Sequence, residues 1–71
     1  MSVIVRLKLG KRLKQLRKKH NYTQEKLAEI AGIDYKYFQS IEGSNPPAVK
    51  IDTLEKLAKA FKISISELVD F

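Results

Sequence analysis

Leu9, Leu13 and Leu16 recur at spacings of three and four, while lysines and arginines fill most positions between them. That rhythm predicts an amphipathic first helix from near Val3 to about Lys19, closed by His20 and Asn21. The alternation Val3, Val5, Leu7, Leu9 also fits a strand, but a lone strand has no pairing partner elsewhere in the chain, so a helical start is preferred. Thr23 is suited to cap a second helix, with Glu25 placed where the helix dipole favours negative charge. Leu27, Ala28, Ile30 and Ala31 give this helix an apolar side rich in small residues, and Gly32 supplies a left-handed stop.

Asp34 is placed to cap a third helix almost at once, with Ile33 plugging the corner. On the third helix Phe38 and Ile41 share one side. At about 100° per residue, Tyr35, Lys36, Gln39 and Ser40 fall on the opposite arc, with Tyr37 near the border. Gly43 ends the helix. The following "SNPPAVK" reads as a projecting loop, because its prolines lack amide protons and Asn45 is pushed out of helical geometry by Pro46. A fourth helix follows on Ile51, Leu54, Leu57, Ala58 and Phe61, with Lys50 a poor cap at its start. Ser64 and Glu67 match a capping box, and Ile63 with Leu68 match a hydrophobic staple, predicting a fifth short helix to the terminus. The pattern is all-α and compact, with five helices.

Charge narrows the function. The net charge is +6, and no acid precedes Glu25, whereas Arg6, Lys8, Lys11, Arg12, Lys14, Arg17, Lys18 and Lys19 all do. This excess favours a polyanionic partner such as nucleic acid or an anionic membrane surface, against the plainer reading of a solvated helix face. The apolar opening is too short and too interrupted by Arg6 and Lys8 for a signal peptide or a membrane span, so a cytoplasmic protein is expected. With 71 residues, one domain over 1–71 is expected, with no room for a ligand-sensing partner domain and no small-molecule effector. There is no cysteine and no cluster of metal-ligand residues, so neither disulfide, metal nor cofactor is expected to support the fold. Catalysis is hard to assemble: His20 stands alone at a helix end and suits a helix C-terminal charge, and the carboxylates share no face.

Two short helices on a tight turn hold one helix at a fixed attitude, which suits entry into the roughly 12 Å major groove of DNA; an ordinary buried helical hairpin is the alternative. The polar arc favours the groove, since Lys36, Gln39 and Ser40 can all hydrogen-bond base edges. Tyr35 and Tyr37 fit either aromatic packing or contact with DNA, a phenol being able to donate to phosphate or lie on a thymine methyl. Thr23 and Gln24, beside the free amides of the second helix, make a natural phosphate anchor. Arg17 reaches toward Glu42 as a structural ion pair able to set the attitude of the third helix. Leu68, Val69 and Phe71 are a large apolar endowment for so short a terminal helix, and either close the core or seed a subunit contact.

The segments "LGKRLKQLRKKHNYTQEKLAEIAGID", "IEG", "DTLEKLAKAF" and "ISISEL", spread from Leu9 to Leu68, together resemble the Cro/CI-type helix-turn-helix family, also called XRE or lambda-repressor-like. The resemblance implies a five-helix domain whose second and third helices form the helix-turn-helix, binding double-stranded operator DNA as a homodimer. By position it implies Gln24 as phosphate clamp, Tyr35, Lys36, Gln39 and Ser40 as base readers, Ser44 and Asn45 as flanking backbone contacts, and Arg17 with Glu42 as the internal ion pair. Phe38 stands where the family usually carries a smaller β-branched residue, and the loop with Pro46 and Pro47 is longer than the common form. In size the chain is similar to controller proteins of restriction-modification systems. The reading is a transcriptional regulator with a recognition helix over about 34–42. The alternatives are a protein-interaction module, such as an antitoxin or controller-protein partner on the same scaffold, and a basic protein that binds RNA or duplex without sequence preference.

Overall fold

The computed structural model describes residues 1–71 and contains α1 (Val3–Lys19), α2 (Gln24–Ala31), α3 (Tyr35–Ile41), α4 (Ile51–Ala60) and α5 (Ile65–Leu68). No strand is present, and no helix is long and apolar enough to cross a membrane. α2 packs on α3 and α4, α5 on α4, and α1 on α3. One cluster of fifteen buried residues runs through all five helices, with Leu13, Leu27, Phe38, Leu57 and Leu68 fully enclosed.

The start of α1 is helical because Ser2 caps it: its hydroxyl accepts the Val5 amide at 3.1 Å. Leu9, Leu13 and Leu16 then face the core. Gly10 is buried beside them for a steric reason, since a Cβ there would sit 2.6 Å from the Ile41 carbonyl oxygen. The missing side chain is what lets α1 lie directly on the end of α3. After the helix, Asn21 takes a left-handed φ of 58°, and His20 stacks on Tyr22 and lies tilted against Phe61, with ring centroids 5.5 and 5.3 Å away.

The ends of α2 and the start of α3 are set by local chemistry. Thr23 Oγ1 accepts the Lys26 amide at 3.0 Å, Gly32 turns the chain at φ 72°, and Asp34 Oδ2 accepts the Tyr37 amide at 2.9 Å. Ile33 packs half-buried against the core between the two helices. At the other end of the chain the Ser64 and Glu67 capping box is complete, with the Glu67 amide on Ser64 Oγ at 3.1 Å and the Ser64 amide on Glu67 Oε1 at 3.0 Å. The Ser64 amide and, next in weight, the Ser64 hydroxyl, which also donates to Glu67 Oε1 at 3.0 Å, hold the Glu67 carboxyl below its ordinary range, with desolvation opposing and Arg12 adding a weaker pull.

The structure departs from the sequence expectations at five places. α5 stops at Leu68 rather than running to the terminus, because Arg12 donates to the carbonyls of Glu67 at 2.8 Å and Leu68 at 3.3 Å, satisfying the helix end there. Leu68 is 0% exposed, so it belongs to the core and offers no surface to a second subunit. Ile30 is exposed because the buried arc of α2 centres on Leu27, Ala28 and Ala31, about a quarter turn away. Ile51 lies on the apolar side of α4 but at its first residue, past the edge of the core, and is exposed too. The loop from Ser44 to Lys50 does not simply project: Pro46 and Val49 are buried, and the Val49 amide meets Met1 Sδ at 3.4 Å. Lys50, as its side-chain chemistry dictates, makes no capping bond for α4.

Candidate nucleic-acid interface

The attitude of α3 is set where three helices meet. Glu42, at the carboxy end of α3, would be disfavoured by the helix dipole if it stood alone. Arg17 of α1 answers it with a bidentate pair, Nε to Oε2 at 2.9 Å and Nη2 to Oε1 at 3.0 Å. The remaining Arg17 donor, Nη1, is taken by the Tyr22 carbonyl at 2.9 Å. Only 11% of the arginine and 3% of the glutamate side chain are exposed, so the pair is shielded from water and salt. Gln24, first residue of α2, adds a third strand of this knot by donating to Glu42 Oε1 at 3.0 Å.

From that anchor α3 shows two unlike faces. Phe38 and Ile41 are sealed inside, while Tyr35, Lys36, Gln39 and Ser40 are all exposed on the other side. The exposed set is partly ordered before any partner arrives. Gln39 Nε2 donates to the Tyr35 hydroxyl at 3.1 Å and reaches the side-chain oxygen Oε1 of Gln24 at 3.5 Å, and the Ser40 hydroxyl donates to the Tyr37 backbone carbonyl at 2.6 Å. Lys36 makes no ion pair and is the one charged side chain on this arc. In this arrangement the Ser40 hydroxyl donates to its own helix and turns its lone pairs outward.

Beside this arc lies the start of α2. The Thr23 hydroxyl takes the Lys26 amide and the Thr23 carbonyl takes that of Leu27, which leaves the amides of Gln24 and Glu25 without a partner inside the helix. Thr23, Ser44 and Asn45 are exposed. Tyr37 differs from the other candidates, because its ring is half-buried and packed on the core. Gln24 is likewise half-buried, its amide already engaged with Glu42. At the chain end Val69 packs partly against the core and Phe71 is exposed.

Sequence reasoning did not find Gly10, the Arg12 clasp on α5, or the chain of contacts from Glu42 through Gln24 to Gln39. Only Gly10 left a local signal, a glycine inside a run of strong helix formers, which costs about 1 kcal/mol in a helix unless a close approach demands it.

Residues 10–70 match a family described as "Helix-turn-helix domain". The HTH-type transcriptional regulator SinR of Bacillus subtilis (strain 168) is 37% identical over 62 residues, which are 87% of this chain and 56% of SinR. The chain therefore spans little more than half the length of that relative. The control protein C.BamHI of Bacillus amyloliquefaciens is 35% identical over 72 residues, covering 100% of this chain and 88% of that protein. The crystal structure of the restriction-modification controller protein C.AhdI from Aeromonas hydrophila superposes with a TM-score of 0.82 at 35% identity, over 89% of this chain and 94% of the other. SinR has also been crystallised in complex with DNA, and that structure superposes with a TM-score of 0.80 over 87% of this chain and 98% of the other.

Proposed function

The chain belongs to the XRE-type helix-turn-helix family, and from that premise we propose that it is a sequence-specific double-stranded DNA-binding transcriptional regulator acting in the cytoplasm as a homodimer. The observation that carries the reading is the division of α3. Its apolar face is locked by Phe38, Ile41 and the Arg17–Glu42 pair, and its polar face is held outward at a fixed attitude. A groove-reading helix needs both, because base discrimination depends on side chains that arrive in register with the base edges.

In this reading Tyr35, Lys36, Gln39 and Ser40 contact bases. Glutamine suits the donor and acceptor edge of adenine, lysine the acceptor pair of guanine, and a hydroxyl accepting hydrogen bonds the amino groups of adenine or cytosine. Thr23 and Gln24 flank the free amides of α2 that receive a phosphate, while Ser44, Asn45 and the hydroxyl end of Tyr37 contact the flanking backbone. Gln24 has a double duty, bracing Glu42 from within and touching phosphate from its exposed edge. The dimer contact falls to Val69 and Phe71, with Leu68 supporting them from the core. The protein is a binding module and not an enzyme; its relatives are transcriptional regulators and a control protein.

The test is the ratio of affinities for a selected site and for random duplex at matched salt. A ratio of roughly 10³ or more is expected. Equal affinities would leave only a nonspecific basic protein.

A further inference from the structure

Ile4, Leu7, Lys11, Lys14 and Lys18 repeat at spacings of three, four, three and four along one unbroken helix, α1. That spacing is the seam of a two-helix coiled pair, and all five residues lie on the side opposite Leu9, Leu13 and Leu16. Ile4 is 66% and Leu7 40% exposed, and the three lysines are exposed as well. None of the lysines forms a salt bridge, whereas the three arginines of α1 are all engaged within the molecule: Arg6 on the Met1 carbonyl, Arg12 on α5 and Arg17 on Glu42. Gly10 and Arg17, which face α3, lie roughly a quarter turn round the helix, so the seam is separate from the α3 surface.

We infer that this seam docks an acidic amphipathic helix of a protein partner, one presenting two apolar side chains at one end and carboxylates at the succeeding seam positions. Charge and polarity together select that occupant. A DNA backbone would satisfy the lysines but leaves Ile4 and Leu7 in water. A second copy in parallel sets lysine against lysine, and an antiparallel one sets Ile4 and Leu7 against Lys18 and Lys14; both arrangements bury unpaired charge. An acidic helix matches every position.

The probe is a synthetic helical peptide with leucine at two consecutive seam positions and glutamate at the next three, made in both chain directions. It is titrated into the full chain with isotope-labelled amides. Saturable shifts are expected at Ile4, Leu7, Lys11, Lys14 and Lys18, and Leu7→Ser and Lys14→Glu are each expected to weaken binding about tenfold while the fold stays intact. The inference is overturned if neither peptide gives saturable shifts up to millimolar concentration, or if a lysine-for-glutamate version binds equally well. It is also overturned if vesicles of anionic phospholipid or random duplex shift these residues and the acidic peptides do not, or if the chain self-associates through them.

Discussion

At the carboxy end of α3, Glu42 keeps 3% of its side chain exposed and is gripped by Arg17 and Gln24, while near the start of the same chain Leu7 leaves 40% of its surface in water on a helix of equal regularity. Leu7 sits within α1 and Glu42 caps the end of α3, so both belong to regular helices and helix regularity is not what separates them. The difference is convergence. Around Glu42 three helices meet, and two of them have ends set by local devices: the Thr23 cap and the left-handed Gly32 on α2, and the Asp34 cap on α3. The first turns of α1 have only the Ser2 cap and helix propensity, with no neighbour covering their outer face. One region fixes the direction of a helix against the body, and the other leaves a helix face open.

The contrast breaks most severely at the ion pair. Arg17→Ala leaves the buried Glu42 carboxylate with only Gln24 as donor, and the unfolding free energy is expected to fall by about 3 kcal/mol in denaturant titration. Gly10→Ala comes next. The new methyl meets the Ile41 carbonyl, and although alanine favours the helix, the displaced end of α3 is expected to leave a net loss of about 1 kcal/mol. A rise in stability would show that α1 can slide away without disturbing α3.

A smaller effect follows pH at α5. Because the folded Glu67 carboxyl titrates below its ordinary range, its contribution is present above the ordinary glutamate value and is lost as pH falls through the lowered one. The protection of the Glu67 and Leu68 amides, taken relative to the free-chain exchange rate at each pH, is expected to fall across that acid window, and Glu67→Gln to remove the pH dependence. Smallest of all, Leu7→Ser is expected to change stability by no more than about 0.5 kcal/mol, which a thermal melt can check. A larger loss would mean that the start of α1 belongs to the folding core and that the contrast with Glu42 is false.

The helix ends were legible in the sequence because their signals are local. Thr23, Gly32, Asp34 and the Ser64–Glu67 box act within a few residues of themselves, and each sits at the boundary it marks. The two faces of α3 were legible for the same reason, since periodicity alone separates Phe38 and Ile41 from Lys36 and Ser40. What the sequence hid was set by distant chain. Arg12 ends α5 from 55 residues away, and Leu68 enters the core because α5 folds back onto α4. Ile30 and Ile51 are apolar yet exposed, because which arc is buried depends on where neighbouring helices lie and stop. Gln24 reads as a surface residue in sequence, and only the placement of Glu42 shows it bracing the anchor.

Whether the locked α3 reads bases through its outer arc is decided by selection from a random duplex library with the full chain and with Lys36→Ala. The full chain is expected to recover paired half-sites, and Lys36→Ala to recover them with the preference changed at one position in each half. An identical preferred sequence from both proteins, or no preferred sequence from the full chain, would contradict base reading by that arc.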